Sequence, residues 1–332
     1  MDTLSRNDRF SYEPIIRDDG QPQSVEKPRD LDELRFRAMA PYDCITADFI
    51  AALSGATGDY GGKTVTHRFN VLKREPNRWV DVHEAQLKRK RDFRNDFLAY
   101  SLNPKTENYL LAKGFSIHSH GCSGPLNHKL MASWVRASYD IATKIEKVPA
   151  TSIPFHEIVA GASITTKRGE PANCIPIMID GEPKRVFPDS YPHGLHLHNS
   201  DEHVLLLDET DCDSMSLNDI AAKYRDYIII LADHICHERY GFNKTLVTFE
   251  TTYQPHLDRM KAKLVAVAEQ MAKQYPDRAR AIRDTLPYFL FKRHVSLKTI
   301  TKEDRPRPTG HILTEPWERA AGLPDFNMLN GE

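Results

Sequence analysis

Three carboxylates stand where two neighbouring strands would bring them together. Asp189 lies at the foot of a predicted strand at 194–198, and Glu209 and Asp211 lie at the exit of the next predicted strand, at 204–207. A turn joins the two strands in a hairpin, in which the start of one strand lies beside the end of the other. We therefore expect Asp189 and Glu209 to converge, with Asp211 two residues further on the same face.

Such a cluster has the chemistry of a metal-dependent nuclease. Carboxylate oxygens are the ligands that Mg²⁺ and Mn²⁺ prefer, so the predicted metal ligands are Asp189, Glu209 and Asp211. A bound ion activates water and stabilises the charge of a scissile phosphate. The pattern is that of PD-(D/E)xK nucleases, except that Asp211 occupies the position of the motif lysine. Lys223, on the next predicted helix, is the candidate replacement. The predicted catalytic set of this degraded site is therefore Asp189, Glu209 and Lys223.

The amino-terminal part of the chain carries the pattern of a DNA-binding element. A short predicted helix at 47–53, a glycine-bearing turn and an amphipathic helix at 63–72 precede two strands joined by a basic loop. This is the order of a winged helix-turn-helix, in which the second helix enters the major groove of duplex DNA and the loop is the wing. The predicted DNA-binding residues are Lys63, Thr66, His67, Arg68, Asn70, Lys73, Arg74, Lys88, Arg89, Lys90 and Arg91. A small α/β domain that binds a protein partner is the alternative.

Together these patterns predict an α+β protein, with an N-terminal winged helix-turn-helix joined to an α/β restriction-endonuclease-like domain. A strand-rich region is predicted to begin at 155–165. Helices are predicted at 216–234, with Ser216 as the N-cap, and at 256–274. Strands thus alternate with helices in the second half of the chain, which is typical of an α/β domain. The predicted boundaries are a flexible leader at 1–30, the winged helix at 31–115, a linking helix at 116–150, the nuclease-like domain at 151–300 and a loose tail at 301–332.

Composition narrows the protein class further. No stretch approaches the roughly 18 consecutive apolar residues of a membrane span, and the first residues lack the apolar core of a signal peptide. Five scattered cysteines without a CxxC pair are typical of reduced thiols, so we expect a cytoplasmic protein without a membrane partner. The net charge is only −1, but residues 60–100 carry ten Lys and Arg against five Asp and Glu, which favours local contact with phosphates.

Several of these segments resemble the replication-relaxation family of plasmid and mobile-element proteins. The resembling residues are Arg68-Phe69-Asn70-Val71-Leu72, the strand before Lys113-Gly114, Pro188-Asp189, the run 205–211, Ser214-Met215-Ser216 and the run 223–227. The resemblance covers roughly 31–264. It implies a winged helix, a PD-(D/E)xK-like domain and a role in plasmid replication, relaxation or mobilisation, with double-stranded DNA as the partner.

Three other interpretations of the same residues stay open. The histidine–hydrophobe–histidine pair His196 and His198 would suit a nickase in which Tyr224 or Tyr227 attacks the phosphate and forms a covalent intermediate. A non-catalytic transcriptional or replication regulator would use its second domain to form a homodimer. Zinc would need one of two groups of ligands. These groups are His118, His120 and Cys122 with His128, and His234 and Cys236 with His237.

Overall fold

The chain folds into two compact units that combine helices and strands. The computed structural model describes residues 12–24, 27–55, 61–83, 86, 98–117, 125–162, 171–212, 215–294 and 306–330. Unit 1 comprises Met1–Ile141 and Thr301–Thr309, and unit 2 comprises Ala142–Ile300 and Gly310–Glu332. Among the described residues, no helix is both long enough and apolar enough to cross a membrane.

Unit 1 combines helices with a small antiparallel sheet. Its helices are α1 (Asp30–Met39), α2 (Ala47–Leu53), α3 (Gly61–Leu72), α4 (Pro104–Ala112) and α5 (Leu126–Lys144). Its strands are β1 (Ile45–Thr46), β2 (Val80–Val82) and β3 (Ala99–Leu102), in the order β1-β3-β2. The linking helix predicted within 116–150 is α5, and the boundary between the units falls inside it, after Ile141.

The amphipathic pattern of α3 places its apolar face in the core of unit 1. Val65, Phe69 and Leu72 recur at helical spacing and are fully buried. The ring centroid of Phe69 lies 5.0 Å from that of Tyr100 on β3 and 6.2 Å from that of Phe36 on α1. Each such buried side chain contributes about 1.5–3 kcal/mol, and together they fix α3 across the sheet.

Residues 12–24 do not form the flexible leader that the sequence predicts for 1–30. The Tyr12 hydroxyl donates to the carbonyl of Val82 at 3.2 Å and accepts from the Val82 amide at 2.9 Å. The amide of Glu75 donates to the Tyr12 carbonyl at 2.9 Å. The prediction is wrong for these residues because polar composition does not reveal which backbone groups find partners elsewhere in the chain.

Unit 2 is built on a mixed sheet, which within the described residues has six strands in the order β11-β10-β9-β8-β7-β4. Its strands are β4 (Ala150–Ile153), β7 (His193–Leu197), β8 (Glu202–Asp211), β9 (Lys244–Thr251), β10 (Phe289–Arg293), β11 (Glu318–Arg319) and a separate hairpin, β5 (Ile175–Ile179) with β6 (Glu182–Val186). Its helices are α6 (Phe155–Gly161), α7 (Leu217–Ala232), α8 (Ile235–Tyr240), α9 (Gln254–Gln274), α10 (Ala279–Asp284) and α11 (His311–Thr314). Strands β8, β9 and β10 are parallel neighbours, and the other pairs are antiparallel.

Side chains alternate between the two faces of this sheet. Leu205 and Leu207 of β8 lie in one core cluster with Phe249 of β9 and with Tyr224 of α7, whose ring centroid is 4.9 Å from that of Phe249. We call this side the helix face. Because alternate residues of a strand share a face, Glu209 continues the helix face at the carboxyl end of β8.

The sequence predicts a strand-rich region from 155, whereas Phe155–Gly161 forms α6. Phe155 and Ile158 are buried one helical turn apart, and Pro154 precedes the first turn. So short an apolar run does not show whether its residues recur with the repeat of a strand or of a helix. The prediction is therefore wrong here.

Residues 306–330 are not the loose tail that the sequence predicts for 301–332. Strand β11 pairs with β10, and Trp317, just before it, is fully buried. The Trp317 ring nitrogen donates to the carbonyl of Ile312 at 2.7 Å. The prolines of this segment suggested an open chain, but one tryptophan buries on the order of 200 Å² and anchors it.

Candidate functional site

The three predicted catalytic side chains meet at the carboxyl end of β8. Lys223 Nζ donates to Asp189 Oδ1 at 3.0 Å and also to Glu209 Oε2. Asp189 Oδ2 accepts from the amide of Thr210 at 3.0 Å, and Glu209 Oε1 accepts from the Tyr227 hydroxyl. We call Asp189, Glu209 and Lys223 the carboxylate–lysine cluster.

Strand pairing explains why Asp189 reaches Glu209. Strand β7 runs antiparallel to β8 with His193 opposite Leu206, so the chain before β7 lies beside the carboxyl end of β8. Asp189 is four residues before His193 and therefore arrives at the level of Thr210. The hairpin that the sequence predicts thus has the expected register.

Helix α7 brings the lysine and a tyrosine to the cluster. Ser216 is its N-cap, as the sequence predicts, and Ser216 Oγ accepts from the amide of Asp219 at 3.2 Å. Asp219 Oδ2 accepts from the amide of Ser216 in return, which completes a capping box. Lys223 and Tyr227 are four residues apart, so both project from the same side of α7.

Burial and charge together set the ionisation of the cluster. Burial, and then the carboxylate of Asp189, raise the pKa of Glu209 well above its usual range. Burial lowers the pKa of Lys223, but Glu209 and Asp189 outweigh it and leave the pKa raised. Burial, and then Glu209, raise the pKa of Tyr227, which keeps its hydroxyl a neutral donor. The ammonium of Lys223 therefore offsets only part of the repulsion between the two carboxylates, and the raised pKa of Glu209 reflects the rest.

Asp211, the third predicted metal ligand, does not join the cluster. Its Oδ1 accepts from the amide of Met215 at 3.1 Å, and its Oδ2 lies 2.7 Å from Nε2 of His256 on α9. Among the described residues, no set of three or more His, Cys, Asp or Glu side chains is arranged to hold a metal ion. The prediction of a three-carboxylate site is therefore wrong, because α9 supplies a partner that holds Asp211 away.

A Mg²⁺ or Mn²⁺ ion would find two carboxylates here instead of three. Mg²⁺ is commonly bound through one or two carboxylates, with waters and substrate phosphates completing its shell. The side chains of Lys223 and Asp189 are 27% and 16% exposed, so solvent reaches the cluster. Asp189 and Glu209 fit such an ion if it replaces Lys223 on at least one of them.

Sequence reasoning missed two buried carboxylates on the face of the sheet opposite the helix face. Asp208 of β8 and Glu250 of β9 are fully buried, and Asp208 accepts from the Thr248 hydroxyl at 2.7 Å. Neither carboxylate oxygen of Glu250 has a hydrogen bond of good geometry within the described residues. Burial, then Asp208, raise the pKa of Glu250 well above its usual range, against a smaller opposing effect of Thr248. The sequence does contain a sign of these two carboxylates, because they are polar residues at alternate positions of otherwise apolar strands.

A buried lysine lies beside Glu250 on the next strand. Lys292 of β10 is the register partner of Glu250, and it donates to the carbonyls of His311 and Glu315 at 3.1 and 3.0 Å. Burial is the main cause that lowers the pKa of Lys292 to about 8. Lys292 thus binds the C-terminal segment to the sheet.

The histidine pair of the nickase interpretation lies at the opposite end of β8 from the cluster. The ring of His196 stacks on His203, near the start of β8, with centroids 4.3 Å apart, and His198 Nε2 contacts the Thr151 hydroxyl at 2.8 Å. Six residues of β8 separate His203 from Glu209, which corresponds to about 20 Å.

The two tyrosines of that interpretation are both in the core. Tyr224 and Tyr227 are fully buried. The Tyr224 hydroxyl donates to the carbonyl of Met260 at 3.1 Å, and the Tyr227 hydroxyl donates to Glu209. The nickase interpretation is therefore wrong in its geometry, because no tyrosine of this helix presents its hydroxyl to the histidine pair.

The predicted DNA-binding residues of α3 divide into exposed and paired side chains. Lys63 and His67 are exposed, and Thr66 and Asn70 are half-buried. Arg68, in contrast, forms a two-pronged ion pair with Asp32 of α1. Within the described residues, fewer side chains of α3 are therefore available to contact DNA than the sequence predicts.

Lys73 and Arg74 do not lie on an exposed DNA-binding face. They follow the end of α3 and are 0% and 1% exposed. Arg74 Nη1 donates to the carbonyl of Glu13 at 3.0 Å, and Lys73 Nζ lies 5.8 Å from the ring centroid of Tyr12. The predicted wing residues lie outside the described residues; they are Lys88, Arg89, Lys90 and Arg91.

The second group of predicted zinc ligands lines a cleft. His234, Cys236 and His237 border a space of about 510 Å³ at the amino-terminal ends of the parallel strands. Burial raises the pKa of Cys236 to about 12, which is the opposite of what a thiolate ligand requires. Three members of the first group, His118, His120 and Cys122, lie outside the described residues, and the fourth, His128, lies on α5.

Short motifs do not establish a family, because the same fold or motif serves unrelated functions in different proteins. The resemblance to the replication-relaxation family depends on short motifs, of which Pro188-Asp189 and the run 205–211 contribute to the carboxylate–lysine cluster. No family model matches this chain, and neither a curated protein nor a solved structure does.

Proposed function

We propose that the protein binds double-stranded DNA and cleaves a phosphodiester bond with a divalent metal ion at the carboxylate–lysine cluster. One observation carries this proposal: the ammonium of Lys223 contacts the carboxylates of both Asp189 and Glu209 at a sheet end that solvent reaches. Metal-dependent phosphodiester hydrolysis needs oxygen ligands for a hard cation and a positive group for the phosphate. Both kinds of group are present here.

Each member of the cluster would have its own role. Asp189 and Glu209 would hold Mg²⁺ or Mn²⁺, which when bound neutralises phosphate charge and lowers the pKa of a bound water. Lys223, released from one carboxylate, would donate to the phosphate oxygen on which negative charge develops. Tyr227 would keep Glu209 in position through its hydroxyl. The origin of Lys223 on α7 supports the replacement that the sequence predicts for the missing motif lysine.

A non-catalytic DNA-binding regulator is the second candidate. Lys223 pairs with both Asp189 and Glu209, and the raised pKa of Glu209 favours its neutral form, so one ammonium balances the charge of the cluster without a metal ion. Such a cluster would hold α7 on the sheet and leave DNA intact. The two candidates share the DNA-binding unit and differ only in what the cluster does.

Unit 1 would supply the contact with double-stranded DNA. Its element order α1-β1-α2-α3-β2-β3, with the sheet order β1-β3-β2, supports the winged helix-turn-helix that the sequence predicts. The exposed residues Lys63 and His67 of α3 would meet the major groove and its phosphates. A role in plasmid or mobile-element replication, relaxation or mobilisation stays a prediction, as does the homodimer.

Nicking of supercoiled plasmid tests the catalytic part of the proposal. The protein is incubated with Mg²⁺, with Mn²⁺ or with EDTA, and the Glu209→Gln and Asp189→Asn variants keep side-chain volume while removing charge. Glu202→Gln is the matched control, because Glu202 lies at the other end of β8, where it pairs with Lys244.

We expect nicking by the wild type and by Glu202→Gln in Mg²⁺ or Mn²⁺ only, and its loss in both cluster variants. DNA binding in a gel shift without nicking under any condition would reject the nuclease and leave the regulator. Equal nicking by Glu209→Gln and the wild type would remove the cluster from the mechanism.

A further inference from the structure

Two exposed aromatic side chains lie at the same edge of the sheet as the carboxylate–lysine cluster. Among the described residues, the exposed large hydrophobic side chains include three aromatic ones: Phe187, Tyr253 and Tyr288, which are 48%, 54% and 39% exposed. Phe187 is two residues before Asp189. Tyr253 is two residues after the last residue of β9, Thr251.

The exposure of Phe187 is fixed by its neighbours. Val186, the last residue of β6, and Pro188 are both buried on either side of it. The ring of Pro188 restricts its backbone, and Asp189 is tied to the amide of Thr210. The chain is therefore held on both sides of Phe187 while its ring faces solvent.

Tyr253 stands at the same edge of the sheet. Thr251 is the register partner of Asp211, the last residue of β8. Tyr253 is the N-cap of α9, and His256 in the first turn of that helix contacts Asp211. Two residues of extended chain span about 7 Å at most, so Tyr253 remains close to the ends of β8 and β9.

Cationic side chains accompany these rings. Lys184 of β6 is 45% exposed, although it pairs with Asp226 of α7. Arg259 of α9 is exposed in the first half of its helix, which begins at this edge. The edge therefore offers positive groups for a sugar–phosphate backbone as well as rings for bases.

Exposed aromatic rings favour single-stranded over double-stranded DNA. Bases within a duplex are stacked on each other, so their faces are closed to protein side chains. Unpaired bases expose both faces and stack on aromatic residues. We infer that unit 2 acts on single-stranded DNA or on an unpaired stretch, with bases stacked on Phe187 and Tyr253 on either side of the cluster. The inference rests on the proposed function for one point, which is that the bound strand places its scissile phosphate at the cluster.

Binding measured in EDTA tests the inference without cleavage. The probes are an oligothymidylate of about 16 nucleotides and a duplex of the same length, each followed by fluorescence anisotropy with the full chain. The variants are Phe187→Ala and Tyr253→Ala, and each is compared with the ring-preserving Phe187→Tyr or Tyr253→Phe. Tyr288→Ala is the matched control, because Tyr288 borders the cleft at the other end of the parallel strands.

Loss of one stacked base is expected to raise the dissociation constant of the oligothymidylate about five- to a hundredfold in each alanine variant. The ring-preserving variants and Tyr288→Ala should bind it like the wild type, and duplex affinity should not change in any variant. Unchanged oligothymidylate binding in both alanine variants, or an equal loss in Tyr288→Ala, would overturn the inference. Circular dichroism confirms that each variant is folded.

The two proposals fail in different ways. Aromatic-dependent binding of the oligothymidylate together with no plasmid nicking would reject the nuclease and retain the single-strand surface. Nicking that depends on Glu209 but is insensitive to Phe187 and Tyr253, on plasmid and on oligonucleotide alike, would retain the nuclease and reject base stacking.

Discussion

Glu250 is fully buried on β9, beside Asp208 on the same face of the sheet. Its pKa is raised above the ordinary value of 4.5, first by burial and then by Asp208. The folded state therefore binds the Glu250 proton more tightly than the unfolded state does. The contribution to stability is complete below pH 4.5 and is lost as pH rises through the raised pKa of the folded protein.

We expect Glu250→Gln to reduce this loss of stability, because glutamine keeps the shape of the side chain without its charge. Urea unfolding at pH 5 and pH 8 should show a smaller fall in the free energy of unfolding for Glu250→Gln than for the wild type. Glu209 and Asp226, whose pKa values are also raised, contribute to the fall that remains. Glu202→Gln, at a half-buried position, should keep the wild-type fall. A fall in Glu250→Gln as large as in the wild type would contradict the assignment.

Individual residues show where sequence reasoning works and where it stops. Asp189 and Glu209 converge as predicted, because a hairpin register follows from strand alternation and turn position. Asp211 shares their edge but binds His256, which arrives from a helix 45 residues further along the chain. Such a contact leaves no periodic trace in the sequence. The burial of Lys73 was missed for the same reason, because the ring that lies beside it belongs to Tyr12, far earlier in the chain.

Among the elements, α7 links the sheet to the cluster because it carries both Lys223 and Tyr227. Its first turn depends on the capping box between Ser216 and Asp219. We expect Ser216→Ala to lower the free energy of unfolding by about 1 kcal/mol, the usual cost of losing an N-cap hydrogen bond. Urea unfolding measures this, and Ser216→Asp, which can still accept from the Asp219 amide, should retain most of the stability. Equal losses in the two variants would show that the cap is not the cause.

Long elements were predicted better than short ones. Helices α3, α7 and α9 have enough turns for an apolar face to recur, and the sequence predicts each of them. Strand β6 and helix α6 are too short for that test. Strand β6 is mostly exposed and polar, so it lacks the alternating apolar pattern by which a half-buried strand is recognised.

At the scale of the whole molecule, a bound ion should stabilise the folded protein. A cation that binds Asp189 and Glu209 in the folded state but not in the unfolded chain raises stability by mass action, by about 2.7 kcal/mol at a hundred times its Kd. We expect Mn²⁺ or Mg²⁺ to raise the Tm of the wild type and of Glu202→Gln in a concentration-dependent manner. NaCl at the same ionic strength controls for screening.

The Glu209→Gln variant decides the origin of that stabilisation. Its Tm should rise much less with Mn²⁺, because one of the two carboxylates has lost its charge. The same rise in Glu209→Gln as in the wild type would place the ion elsewhere. No rise in any protein would indicate that Lys223 is not displaced and that the cluster is structural.

The late position of β11 in the chain affects how the protein is made. Translation delivers β10 before β11, so on the ribosome the outer edge of β10 stays open until residue 319 has emerged. Trp317, which is fully buried in the folded protein, emerges just before β11. An unpaired strand edge is a template for pairing with another chain. The nascent protein therefore passes through a stage, before β11 has emerged, in which chaperones or a neighbouring nascent chain compete with β11 for the edge of β10.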